Sequence, residues 1–234
     1  MSTNTVNTSQ LAAMIDYAYL KTSGLNRSIE QHCEEAAAYG FAMVAIHPCD
    51  VERCAQILHG TQVHVGAVVG FPLGYNTREV KEYETQDAIQ RGANEIDMMI
   101  NLRALQAGEY KTVANEITSI VRICQVHGAV SKIILEACYL TEDQKIAVCK
   151  MALDAGANYV KTSTGFGTGG ATVQDVKLMR TTVGNRMGVK AAGGIRDLAI
   201  TLRIIEAGAD RIGTSRGVAI IEELTSKLEL TPTD

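Results

Sequence analysis

The sequence predicts one eight-stranded parallel β/α barrel, the (β/α)8 TIM barrel, and three observations carry that reading. One phrase recurs along the chain, and short apolar runs alternate with helical stretches eight times. The length, 234 residues, suits one barrel domain over 1–234, because such barrels run to about 250 residues without dividing. The phrase reads Arg91-Gly92-Ala93-Asn94-Glu95-Ile96-Asp97, then Ala155-Gly156-Ala157-Asn158-Tyr159-Val160-Lys161, then Ala207-Gly208-Ala209-Asp210-Arg211-Ile212-Gly213. A looser form runs from Tyr39 to Ala45. Each copy follows a helix-like stretch and precedes an apolar run, as a left-handed glycine ending a helix just before a buried strand would.

In chain order the strands are expected at 14–20, 41–46, 62–69, 94–100, 131–137, 158–163, 187–191 and 210–214. The second, fourth, sixth and eighth follow the phrase, and the others are apolar runs of strand length. Between the third and fourth, Val80, Tyr83, Glu84, Asp87, Ala88 and Arg91 fall at helical spacing within Thr77 to Arg91. Before the sixth, Thr141 stands as N-cap of a helix running to Ala155. Strands alternating with helices pair in parallel. An open doubly wound sheet would place a GxGxxG after its first strand. Here the glycine-rich Gly165-Phe166-Gly167-Thr168-Gly169-Gly170 follows the sixth strand with the wrong spacing, so no dinucleotide site is expected. Residues 1–10 are expected to form a flexible or helical extension.

Composition excludes several classes. A net charge of −4 and a pI near 5.8 speak against nucleic acid, whose phosphates call for a basic face. No apolar run reaches the ~18 residues needed to span a bilayer, and the Ser/Thr/Asn-rich opening has no basic-then-apolar leader, so a cytoplasmic protein is expected. The six cysteines form no CxxC pair. His47-Pro48-Cys49-Asp50 offers three ligand types, but consecutive residues seldom converge on one ion, so neither a metal nor a cofactor is expected.

Active sites of β/α barrels lie at the carboxyl ends of the strands. Counting five residues from each helix-stop glycine lands on Ala45, Asp97, Lys161 and Gly213, equivalent places on four strands. A lysine within a buried strand is costly without a function or a partner. Lys161 makes that demand on the sixth strand and Lys190 makes it on the seventh. Two neighbouring ammonium groups repel, which favours a neutral amine able to attack a carbonyl, and Asp97 supplies a carboxylate to move protons. The alternative is a salt-bridged layer within the barrel, or side chains pointing outward against helix ends. Gly193-Gly194 after the seventh strand and Gly213-Thr214-Ser215 after the eighth occupy places where barrels bind phosphate, and Gly165 offers a third amide. Each glycine also suits a tight turn alone.

Three segments resemble the deoxyribose-phosphate aldolases, a family of class I aldolases of DeoC type. Val160-Lys161-Thr162-Ser163-Thr164-Gly165-Phe166 is similar to the family's Schiff-base motif, and Glu95-Ile96-Asp97-Met98-Met99-Ile100-Asn101 to its aspartate motif. Val189-Lys190-Ala191-Ala192-Gly193-Gly194-Ile195-Arg196 is similar to its second-lysine motif. The resemblance covers most of the chain. It implies a metal-free, reversible cleavage of 2-deoxy-D-ribose 5-phosphate to glyceraldehyde 3-phosphate and acetaldehyde. Lys161 would carry the imine, Lys190 would perturb it, and Asp97 would act through water, with scission assigned to the C3–C4 bond. Asp16, Thr164, Gly165, Gly193, Gly194, Gly213 and Ser215 would hold substrate and phosphate, and a homodimer or homotetramer is implied.

The sequence departs from the family in places. Asp16-Tyr17-Ala18-Tyr19-Leu20 stands where Asp-His-Thr-Leu-Leu is frequent, and Ala45-Ile46-His47 where Cys and Asn precede Pro. Arg216 replaces a small residue and either adds a cation beside the phosphate or faces solvent. The end, Thr231-Pro232-Thr233-Asp234, carries no terminal Tyr for proton transfer. Two other readings therefore stay open: a Schiff-base barrel aldolase for another phosphorylated sugar, and a non-catalytic barrel that holds a phosphometabolite by charge.

Overall fold

Runs rich in Val, Ile and Met, short enough to be buried on both faces, form the strands of a computed structural model that describes residues 6–23 and 26–230. They are β1 (Ile15–Tyr19), β2 (Met43–Ile46), β3 (His64–Val69), β4 (Glu95–Met99), β5 (Val130–Ile134), β6 (Tyr159–Lys161), β7 (Gly188–Ala192) and β8 (Arg211–Thr214). All pair in parallel in chain order, and β8 returns to β1 with Asp16 opposite Gly213, closing the barrel. Around it lie α1 (Thr8–Ala12), α2 (Ile29–Tyr39), α3 (Val51–Ile57), α4 (Arg78–Gln90), α5 (Leu102–Gln106), α6 (Tyr110–His127), α7 (Glu142–Ala155), α8 (Val173–Val183), α9 (Leu198–Glu206) and α10 (Gly217–Glu229). Residues 1–5 of the expected extension and the tail at 231–234 lie outside the described residues; 8–10 open α1.

The recurring phrase has a structural job. Asn94 Oδ1 accepts the Val65 N–H on β3, Asn158 Oδ1 accepts the Ser131 N–H on β5, and Asp210 Oδ2 accepts the Val189 N–H on β7. The fourth residue of each of these three copies thus ties the start of an even-numbered strand to the odd-numbered strand before it, satisfying a backbone donor at the foot of the barrel. Helix starts follow the same economy of donors. Thr77 and Thr141 accept the N–H groups of Val80 and Gln144, as N-caps do.

Two strands end earlier than the apolar runs suggest. β6 stops at Lys161 because the Thr162 hydroxyl takes the Ala192 N–H (3.0 Å) in place of a ladder carbonyl. β5 stops at Ile134, after which Glu136 adopts φ 52 and Ala137–Tyr139 make a 3₁₀ turn. The apolar core lies between the barrel wall and the helices, with Ile96, Met98, Ile133, Val160, Val189 and Ile212 buried there. The barrel's own interior is polar: Lys132, Lys161 and Lys190 are among its largest fully buried side chains.

Candidate active site

Alternation along the strands turns Asp97, Lys132, Lys161 and Lys190 into the barrel. Pairing sets Asp97 beside Lys132 and Lys161 beside Lys190. The lysine ammonium groups converge on one carboxylate. Lys161 Nζ lies 2.8 Å and Lys190 Nζ 2.7 Å from Asp97 Oδ2, and Lys132 Nζ lies 2.8 Å from Oδ1. Burial alone would push the Asp97 carboxyl up, but the three ammonium groups outweigh it and hold Asp97 well below the usual carboxylate range. Its resting form is the anion.

Lys161 is the lysine drawn toward neutrality. Burial, opposed by Asp97 and helped by Lys190 and Lys132, brings its amine down from 10.5 to about 8. The repulsion expected from Lys190 is present, yet loss of hydration is the larger cause. Lys132 moves the other way: burial would lower it, but Asp97, Glu95 and Asp16 together raise it. The Phe71 ring stands 5.9 Å from Lys161 Nζ and packs edge to face on Phe166.

Glu136 anchors the loop beyond Lys161. Its carboxylate accepts the Thr164 N–H at 3.2 Å and the Thr164 hydroxyl, while Thr164 Oγ1 accepts the Phe166 N–H at 3.0 Å. Burial pushes the Glu136 carboxyl up against these donors. A cavity of about 290 Å³ opens beside it, between the loops after β3 to β6, lined in part by Leu73, Tyr75, Tyr139 and Phe166. A second hollow of similar volume, beside His59 and His64, lies at the opposite end of the barrel.

The other residues singled out from sequence take different places. Gly165, Gly194 and Ser215 are exposed at the mouth, and Gly193 is half-buried beneath them. Gly213 is buried, and a Cβ there would stand 2.8 Å from Ala192 Cβ and 3.2 Å from Lys190 Cε, so its bareness makes room for β7 and the lysine stem. Asp16 is fully buried, 2.5 Å from both Lys190 Nζ and Arg211 Nη2; its Oδ2 meets Lys190 as an ion pair without hydrogen-bond alignment. Arg216 is exposed and precedes α10 without capping it through its side chain. Sequence reasoning passed over Glu95, Lys132, Glu136 and Arg211. Lys132, in Ser131-Lys132-Ile133-Ile134, carried the same signal as Lys161: a lone charge in an apolar strand.

Fold and interior together describe a lysine-bearing β/α barrel suited to carbonyl chemistry. The chain matches the DeoC/LacD family aldolase profile over residues 11–223. A deoxyribose-phosphate aldolase of Bacteroides thetaiotaomicron is 56% identical over 213 residues, spanning 91% of this chain and 90% of that protein. One from Caldanaerobacter subterraneus subsp. tengcongensis is 52% identical over 214 residues, 91% of this chain and 93% of its own. The tetrameric deoxyribose phosphate aldolase of Aeropyrum pernix superposes with a TM-score of 0.87 at 32% identity, covering 94% of this chain and 93% of that one. The chain belongs to the DeoC/LacD aldolase family.

Proposed function

We infer that this protein is a class I aldolase that reversibly cleaves 2-deoxy-D-ribose 5-phosphate to D-glyceraldehyde 3-phosphate and acetaldehyde, with Lys161 as nucleophile. The observation that carries the reading is the buried Lys161 amine, lowered to about 8 and held 2.8 Å from an ionised Asp97, in a chain of this family. Lys161 Nζ adds to C1 of the open-chain sugar, and the carbinolamine loses water to give the imine. The bond that breaks is then C2–C3, not C3–C4, because only a carbanion at C2 is conjugated with an imine at C1. The C3 hydroxyl gives up its proton as glyceraldehyde 3-phosphate departs with the phosphate. The enamine left on Lys161 is protonated at C2, and water releases acetaldehyde.

Asp97 takes and returns protons through water, its charge favouring each cationic nitrogen intermediate. Lys190 fixes Asp97 from the other side. Backbone N–H groups at Gly165, Gly193, Gly194 and Ser215, with the start of α10, receive the phosphate, while Asp16 and Gly213 hold Lys190 in place and Thr164 shapes the loop. The Aeropyrum tetramer supports a homo-oligomer. A cytoplasmic location fits such an enzyme, and among the described residues no helix is long and apolar enough to cross a membrane.

Borohydride reduction with deoxyribose 5-phosphate, followed by peptide mapping, tests the assignment. The expected result is a stable adduct on Lys161 that is absent from Lys161→Ala; cleavage without any lysine adduct would overturn it. Ala18 and Ala45, where the family resemblance implies a hydroxyl and a thiol, favour comparing other aldose and ketose phosphates in the same assay.

A further inference from the structure

The groups around Asp97 belong to a larger circuit. From Asp97 it runs to Lys190 (2.7 Å), to Asp16 (2.5 Å), to Arg211 (2.5 Å), to Glu95 (3.2 Å), by direct contact to Lys132, and back to Asp97 (2.8 Å). Six groups from strands β1, β4, β5, β7 and β8 close a ring in which the sign of the charge alternates. Three anions meet three cations, so the ring is neutral. Lys161 hangs from Asp97 as a seventh group, a cation beyond the ring's balance. We propose that Glu95 and Arg211, at the floor of the barrel, are positioning residues that set the protonation of Lys161 through this ring. A neutral ring makes deprotonation of Lys161 the step that brings these seven groups to zero charge. The proposal rests on Lys161 being the imine-forming lysine.

Distance and medium favour such control. Five of the six ring members are almost wholly removed from water and the Arg211 side chain is 13% exposed, so a unit charge in the ring acts over several ångströms with little screening. The other groups in reach are few. Glu136 and the Phe71 ring face Lys161, His64 Nδ1 lies 2.6 Å from Glu95 at the open foot of β3, and the Tyr159 ring faces Arg211 at 5.8 Å. Glu95 and Arg211 bond to ring partners and not to Lys161, so they act on the amine without touching it.

The test is the pH dependence of Lys161 adduct formation with acetaldehyde and cyanoborohydride in the full chain. Glu95→Gln leaves the interior more positive and is expected to move the midpoint of the acid limb down by about one pH unit; Arg211→Gln does the opposite by a similar amount. The double variant restores neutrality and returns the midpoint to the wild-type value, as does the charge-conserving Arg211→Lys. A merely structural role would slow the variants without moving their limbs in opposite directions, and shifts of the same sign, or none, overturn the proposal. Should one single variant fail to fold, the other must still move the midpoint in its stated direction, and an unmoved midpoint there is equally decisive against the proposal. Absence of adduct in the wild type overturns the parent assignment instead.

Discussion

At the scale of the residue, chemistry turns on how often Lys161 is uncharged. An amine at about 8 is neutral in roughly one molecule in ten at pH 7, against fewer than about one in a thousand for an ordinary lysine. The rate of imine formation is therefore expected to climb about fivefold between about pH 7 and pH 8 and to level off beyond about pH 9. Stopped-flow mixing with acetaldehyde measures this, and a flat profile would refute it. Lys190→Leu removes one of the cations that lower Lys161, so the rise should move to higher pH and the neutral-pH rate should fall. Full recovery of that rate in alkaline buffer separates this effect from lost architecture.

At the scale of the element, a second buried pair locks two helices to a strand. Lys81 on α4 lies 2.5 Å from Glu116 on α6 and donates to the Met99 carbonyl, while Glu116 accepts the Asn101 N–H. Burial pushes Lys81 down and Glu116 up, yet each finds its partner. Lys81→Met strands a buried carboxylate, and thermal melts should show a loss of about 3–5 kcal/mol; pairing it with Glu116→Gln should recover part of this. The same scale shows why part of the interior escaped sequence reading. The repeated phrase marks even-numbered strands, because its Asn or Asp ties each to the odd-numbered strand before it, and so the count of five finds Asp97 and Lys161. After the left-handed Gly128, β5 begins at once with Val130, and the same count lands on Ile133, one residue beyond Lys132. Lys190 was found through its isolated charge instead. Glu136 gave no local sign, since its left-handed backbone serves a hydrogen bond to Thr164 that only the folded loop reveals.

At the scale of the whole molecule, acid stability has an identifiable origin besides the carboxylates. His32 is buried against the Tyr17 ring, its Nε2 donating to the Tyr17 carbonyl. Burial first and Arg27 second, against Glu35, depress it from 6.5 to about 3. The unfolded chain thus binds this proton first, so stability is intact above 6.5 and drains away as pH falls toward about 3, by at most about 5 kcal/mol. Melting temperatures should drop across that window, and His32→Gln should flatten the drop. The pairing of Asp16 with Arg211, 195 positions apart, was invisible to any local pattern, since it exists only once β8 meets β1. That junction bears on how the protein is made. A chain still leaving the ribosome, with seven strands formed, would hold Asp16 and Glu95 in an open trough without their shared guanidinium. Such a half-tube leaves both carboxylates short of a partner on the surface that must become its innermost layer, and water has to remain there. The last strand to be synthesised therefore dries the channel and supplies the missing guanidinium in one event, so a nascent chain halted before Arg211 should stay hydrated and open to proteases.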